Sequence, residues 1–280
     1  MNAKLKHITQ RKNLVLGGIL VTLMVSMALA APWISPYDPV RHASLMDAEL
    51  APNGQYLLGT DSHGRDVLSR IIFGARVSLS VGLITQFINT CIGVSLGLMA
   101  GFLGGLWDDV VVGLTNIMLS IPAMIFALAI MAALGPGLIN IYIALGFTNW
   151  SYSCRITRSQ VLSARNLEYV KAARILGYGR FRIMFGQILP NIAGPILVIA
   201  TLGSAEAILM EASLSFLGLG AQPPTPSWGG MLSSARDLFF SAPWICIFPG
   251  LAIFITVLGL NLFGDGLRDF LDPHAQWKTS

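Results

Sequence analysis

Residues 110–154 read VVVGLTNIMLSIPAMIFALAIMAALGPGLINIYIALGFTNWSYSC, and none of these 45 positions carries a charged side chain. A helix that crosses the hydrocarbon core of a membrane needs about 20 predominantly apolar residues. The stretch is therefore long enough for two crossings, and Gly135-Pro136-Gly137 supplies a break between them. We predict two transmembrane helices here, at about 111–134 and about 138–155.

Other charge-free intervals indicate further membrane helices. Because a charge inside hydrocarbon is costly, intervals without charges locate the spans. They predict four more helices, at about 13–33, 78–100, 188–209 and 244–264. The first of these contains Ala28-Leu29-Ala30, which resembles a signal-peptide cleavage site, but we interpret the run as a retained helix.

The composition agrees with an all-α, polytopic membrane protein of six transmembrane helices. Of 280 residues, 54% are hydrophobic and 11% charged, with a mean hydropathy of +0.67. A soluble domain carries roughly a quarter charged residues. The interval 212–235 is also uncharged, but its prolines at 223, 224 and 226 favour a short helix within an external loop at 210–243.

The distribution of positive charge predicts the orientation. With six spans, 13 of the 18 Lys and Arg residues fall on the side of the two termini. The positive-inside rule therefore places both termini, and a large basic loop at 156–187, in the cytoplasm. The net charge of +4 then marks a membrane side and not a nucleic-acid partner. We divide the chain into 1–75 (tail, first helix and external loop), a core at 76–267 and a cytoplasmic tail at 268–280.

Catalytic and nucleotide-binding patterns are absent from the sequence. It contains no GxxxxGK[ST] and no HExxH, and its three cysteines are widely separated. The compact acid–histidine group is Asp61, His63 and Asp66, which we interpret as capping turns or a helix. We predict no enzyme, no catalytic residue, no metal site and no cofactor in this chain.

The basic loop carries a pattern beyond its charge. Residues 168–176 are good helix formers, Gly177 interrupts them, and Leu189-Pro190 opens the next membrane helix. The small pair Ala172-Ala173 would let another surface approach closely, with positive charge along the contact. The candidate contact residues are Lys171, Ala172, Ala173, Arg174, Gly177, Arg180, Arg182, Leu189 and Pro190.

This segment resembles the EAA loop of ABC-importer permeases, whose pattern is E-A-A, three residues, Gly, nine residues, then I-x-L-P. Lys171-Ala172-Ala173, Gly177 and Leu189-Pro190 fit that register. Two positions differ, since Lys171 replaces the Glu and Gln187 replaces the Ile.

Other runs resemble the dipeptide/oligopeptide/nickel permeases within that family. They are Leu58 to Arg70 (LGTDSHGRDVLSR), Ser215 to Gly220 (SFLGLG) with Pro223 to Gly229 (PPTPSWG), and Asn261 to Asp269 (NLFGDGLRD) followed by Leu271-Asp272-Pro273. Together with the EAA-like loop they extend from residue 58 to residue 273. The chain is similar to the C permease of that family, which implies the type I ABC-importer permease fold.

The resemblance implies an importer of dipeptides or oligopeptides in the bacterial plasma (inner) membrane. Its partners would be a second homologous permease, one or two P-loop ATPases that bind ATP and Mg, and a periplasmic or lipid-anchored substrate-binding protein. The basic loop would supply the coupling helix that docks on an ATPase. A nickel or metal-chelate importer is the alternative within the family, and an ATP-independent channel or secondary transporter is the alternative from another class.

Two further groups are candidates for packing and for the pathway. Gly93, Gly97 and Gly101 recur every four residues and predict close helix packing, within this chain or against the second permease. Glu206 and Glu211 are the acids nearest the membrane interior, and a helix starting near 188 would put them at the external mouth. There they would line the pathway or act as hydrated interfacial anchors.

The tryptophans of the external regions are open to two interpretations. Trp228 and Trp244 could receive the binding protein or act as interfacial anchors.

Overall fold

The computed structural model describes residues 3–271, with side chains from Lys12, and within them the fold is all-α without a β-strand. A π-helical turn, Met184–Ile188, joins the short helices Arg180–Ile183 and Leu189–Asn191. The α-helices are α1 (Ala3–Ile34), α2 (Val67–Leu103), α3 (Gly105–Ser120), α4 (Ala123–Leu134), α5 (Leu138–Gly146), α6 (Trp150–Ala164), α7 (Glu168–Ile175), α8 (Arg180–Ile183), α9 (Leu189–Asn191), α10 (Ala193–Phe216), α11 (Trp228–Ser234) and α12 (Trp244–Leu271). The predicted tail after Leu271, with its Asp272-Pro273 pair, lies outside the described residues.

Four of these helices are long and apolar enough to cross a membrane. They are α1 from Lys12 onwards, α2, α10 and α12, and the bent pair α3–α4 makes a fifth span if counted as one. Helices α5 and α6 have 9 and 15 residues, each too short to cross alone. The predicted count of six spans stays a prediction.

The predicted helix at 111–134 is wrong as a single element. The chain breaks between α3 and α4, and the two helices meet at 88°. Pro122 has no backbone N–H and disfavours the helical conformation of the residue before it. Ile121 is accordingly extended, with φ −98° and ψ 124°.

The other predicted boundaries also shift. The helix expected at 138–155 is two helices, α5 and α6, and because α6 continues to Ala164 the basic loop begins at 165 rather than 156. Helix α2 begins at Val67, so the predicted division at 75/76 falls inside it. Helices α10 and α12 continue through Phe216 and Leu271, which shortens the predicted loop at 210–243 and the tail at 268–280.

Helix α2 is the centre of the packing and contacts α1, α3, α5, α6 and α10. Its main cluster joins Val67, Ile71 and Ala75 to Ile208 of α10 and Trp228 of α11. Helices α1 and α12 form the other large contact. Their axes approach closely at Gly266, where an added Cβ would lie 2.5 Å from the backbone of Leu14. The absence of a side chain on glycine permits this approach.

The glycines of α2 face α6 within this chain. A Cβ on Gly93, Gly97 or Gly101 would lie 2.6 Å, 2.5 Å or 2.8 Å from atoms of α6. The periodic glycines therefore form the α2–α6 crossing.

Candidate functional site

The basic loop of the structure, residues 165–187, contains a short helix with a defined end. Gly177 has φ +75°, a conformation that a residue with a Cβ rarely adopts. Its N–H donates to the Arg174 carbonyl at 3.0 Å, and the Tyr178 N–H donates to the Ala173 carbonyl at 3.0 Å. These two bonds form a Schellman motif, which ends α7 and turns the chain towards α8.

The inner face of α7 packs on the membrane helices. Val170 and Ala173 are buried in a cluster with Leu98 of α2, Val161 of α6 and Ile188. Burial raises the pKa of the Tyr169 phenol on the same helix. Helix α7 is therefore held by its packing against α2 and α6.

The outer face of the basic loop is apolar at its centre and basic at its edges. Ile175 is 86% exposed and Phe181 77% exposed, and Leu176 is exposed between them. Ala172 is exposed, whereas its neighbour Ala173 is buried, so only the first of the two alanines can meet another surface.

The predicted cations surround this outer face. Lys171, Arg174, Arg180 and Arg182 are all exposed, and none forms an ion pair with the described residues. The Arg174 guanidinium lies 5.5 Å from the centre of the Phe102 ring, and that of Arg182 lies 4.1 Å from the Tyr178 ring. The aromatic rings thus orient two of the four charges. Leu189 is half-buried and Pro190 exposed at the start of α9.

Glu211 does not lie at an open mouth, and that prediction is wrong. Its side chain is fully buried between α10 and α2. Ser78 donates to its Oε2 at 3.2 Å and Ser215 donates to its Oε1 at 2.6 Å. Ser78 precedes Glu211 by 133 residues, so no local pattern could have shown the partner. The carboxyl group joins two helices instead of facing solvent.

Glu206 is exposed on α10 and borders a cavity of about 360 Å³. The sequence had suggested a position near the end of the helix. Because α10 runs from Ala193 to Phe216, Glu206 lies near its middle instead. The cavity also contains Gln86, Asn149 and Tyr152. Sequence reasoning missed these residues, although Gln86 is one of two amides, with Asn89, in the uncharged run of α2.

The group Asp61, His63 and Asp66 caps structure as predicted. Asp66 accepts from the Ser69 N–H at 2.8 Å and caps α2. Asp61 accepts from the backbone N–H groups of His63 and Arg65 at 2.9 Å and 3.0 Å.

The two tryptophans are structural. Trp228 is fully buried and donates from Nε1 to the Ile71 carbonyl at 3.0 Å, so neither the anchor nor the receptor interpretation holds for it. Trp244 is half-buried and donates from Nε1 to the Thr60 carbonyl at 3.2 Å. It connects α12 to the loop between α1 and α2.

Comparison with known families gives two matches. Residues 93–277 match the binding-protein-dependent transport system inner membrane component, and residues 5–52 match the N-terminal TM domain of oligopeptide transport permease C.

Individual relatives align along nearly the whole chain. The di/tripeptide transport system permease protein DppC of Pseudomonas aeruginosa is 48% identical over 92% of this chain and 87% of its own length. The dipeptide transport system permease protein DppC of Escherichia coli is 46% identical over 95% and 91%. The glutathione transport system permease protein GsiD of Pectobacterium atrosepticum is 39% identical over 92% and 86%.

Proposed function

Because this chain belongs to the family of binding-protein-dependent transport system inner membrane components, a multi-pass permease subunit of ABC importers, we propose that it imports dipeptides and short oligopeptides. The peptide transport named for two relatives at 46% and 48% identity supports this substrate class. A second homologous permease would complete the translocation path. A periplasmic or lipid-anchored binding protein would deliver the peptide. The permease role carries no enzyme activity of its own.

The basic loop is the proposed docking element for a cytoplasmic ATPase. The observation that carries this role is the exposed apolar centre at Ile175, Leu176 and Phe181. It is surrounded by cations that form no ion pair within the described part of the chain, and the inner face of the loop is buried. Such a surface fits an acidic or apolar groove on a partner subunit. ATP and Mg would bind to that partner. The excess of Lys and Arg on this side supports a cytoplasmic location for the loop and both termini.

Purification of the tagged chain from its native membrane in mild detergent tests this proposal. We expect a related permease and one or two P-loop ATPases to remain bound, and a strain without the chain to lose dipeptide uptake. A chain that purifies alone and conducts solute in liposomes without ATP would contradict the proposal and favour the channel interpretation.

Replacing Gly177 with valine is expected to uncouple transport from ATP hydrolysis. A β-branched residue is strongly disfavoured at φ +75°, so the Schellman turn and the direction of α8 would change. Dipeptide uptake and peptide-stimulated ATP hydrolysis are measured in proteoliposomes. We expect uptake to fall by about tenfold or more, because opening the turn costs roughly 1–2 kcal/mol and displaces the docking surface.

Two variants control for this result. Gly177→Asn should retain most uptake, because Asn tolerates the left-handed conformation. Gly179→Val adds the same side chain at φ −65°, where a Cβ meets no atom within 4 Å, and should insert and fold normally. Normal uptake by Gly177→Val would argue against the coupling role.

Reversing the charges of Arg180 and Arg182 to glutamate is expected to weaken ATPase association. Exposed cations at an interface rim mainly set the salt dependence and the association rate. We expect less ATPase to co-purify with the double variant, and the wild-type complex to weaken as salt is raised. Full association of the double variant at low and high salt would indicate that the contact is mainly apolar.

A further inference from the structure

The depth of Glu206 in the membrane sets an electrostatic requirement. It is the fourteenth residue of the 24-residue helix α10. At 1.5 Å per residue its Cα lies about 20 Å from one end of the helix and about 15 Å from the other. A carboxylate at this depth is not stable against lipid and needs a cation or a water-filled space.

The side chain borders a cavity and not a charged partner among residues 12–271. Glu206 is exposed and forms no ion pair with any described residue. The cavity beside it has a volume of about 360 Å³. Its polar lining residues include Gln86, Asn149, Tyr152 and Ser153, and Leu202 is one of its apolar lining residues. Of the described residues that line it, none is an Arg or a Lys, so nothing in this lining offsets the carboxylate of Glu206.

Gln86 lines the same cavity as Glu206 and is held by two contacts. Its amide donates to Thr90 Oγ1 at 3.1 Å and lies on the backbone of Gly203, where an added Cβ would be 2.3 Å from Gln86 Oε1. Gly203 precedes Glu206 by one helical turn, on the same face of α10. An amide oxygen and a carboxylate therefore converge on the same space.

The cavity continues to two breaks in the membrane helices. An adjoining space of about 190 Å³ shares Leu119 and Asn149 with it and reaches Pro122 at the α3–α4 break. Asn149 lies at the α5–α6 break and level with Met210 of α10, since its Nδ2 is 3.9 Å from Met210 Sδ. Irregular backbone at membrane depth occurs where it is buried or lines a water-filled cavity. Glu206, Gln86 and Asn149 are thus polar groups within a largely apolar lining, at the level of these breaks.

We propose that Glu206 binds the N-terminal ammonium group of the peptide during transport. This inference rests on the proposed import of peptides. A free peptide carries one primary ammonium with three N–H donors, and the cavity offers a carboxylate, amide oxygens and hydroxyls that accept hydrogen bonds. The site recognises a feature shared by all free peptides, so it accepts many side chains.

Uptake by the assembled importer gives the first test. We expect Glu206→Gln to assemble with its partners and to keep ATP hydrolysis that responds to the loaded binding protein. Dialanine uptake should fall about tenfold, because that factor corresponds to the free energy of one hydrogen bond to a charged group. Glu206→Asp should retain most uptake. Glu49→Gln, which removes an exposed carboxylate from the loop between α1 and α2, is the matched control and should behave as wild type.

Occupancy of the cavity gives the second test and separates an ammonium site from a structural role. A cysteine replaces the exposed Tyr152 in the assembled complex, with the exposed Cys91 changed to alanine, and its alkylation rate by a maleimide is measured in nanodiscs. Millimolar dialanine should slow alkylation at least about twofold in the Glu206 chain but not in Glu206→Gln. N-acetyl-dialanine lacks the ammonium and should not protect either chain.

Each other outcome has a distinct meaning. Normal uptake by Glu206→Gln, or no protection by dialanine, would overturn the proposed site. Failure of Glu206→Gln to assemble would show that the carboxylate pairs with a cation of the second permease, which also overturns it. Protection by N-acetyl-dialanine would exclude recognition of the ammonium. Absence of dialanine uptake by the wild-type importer would instead contradict the proposed function.

Discussion

Replacing Gly97 with leucine is expected to separate α2 from α6 and to leave little folded protein in the membrane. A Cβ at this position would lie 2.5 Å from the Cys154 carbonyl oxygen and 3.0 Å from the Arg158 nitrogen. These are backbone atoms of α6, so no side-chain rotation can relieve the overlap. Overpacking costs about 1–3 kcal/mol where side chains can adjust, and we expect the upper end of that range or more here.

The matched control is Gly113→Leu. Gly113 also lies inside a helix, α3, but an added Cβ meets no atom within 4 Å. Both variants are expressed under the same conditions, and the yield and the thermal midpoint of the detergent-purified chain are compared. Gly97→Leu should show a loss of yield and a lower midpoint, while Gly113→Leu stays close to wild type. Equal thermal midpoints of the two variants would contradict this prediction, because they would show that disturbing the α2–α6 contact costs no stability.

Four long membrane helices, α1, α2, α10 and α12, could be predicted from the sequence because the membrane imposes a long, uncharged pattern. Gly135-Pro136-Gly137 marked the end of α4 correctly, since Gly135 closes the helix and has φ +83°. The break at Pro122 was missed, although proline gives the physical signal, because the surrounding run is uniformly apolar. The break at 147–149 was also missed, because Gly146 before it and Asn149 within it are weaker signals than a proline.

The candidate sites were predictable only where the chain determines them locally. Gly177 indicated the end of α7 because left-handed turns favour glycine. The opposite orientations of Ala172 and Ala173 depend on what α7 packs against, which no local pattern contains. Similarly, Glu206 and Glu211 differ in exposure because they are five residues apart on α10 and point to different sides of that helix, and only Glu211 meets Ser78 of α2.

The loop between α1 and α2 depends on a buried charge cluster. Asp61 Oδ2 accepts from Arg65 Nε at 2.8 Å and lies 3.4 Å from Arg70 Nε. All three residues are buried, and Arg70 also donates to the Pro39 carbonyl at 3.0 Å. A single carboxylate therefore balances two guanidinium groups that are largely shielded from water.

Replacing Asp61 with asparagine is expected to destabilise this loop by about 3 kcal/mol or more, because removing one partner leaves buried charges uncompensated. Glu49→Gln makes the same change of charge in the same loop at an exposed side chain and should change stability little. Thermal midpoints and the rate of proteolysis between α1 and α2 are compared for the two variants. Similar midpoints and similar cleavage would mean that water reaches Arg65 and Arg70, and that the cluster does not hold the loop on the membrane helices.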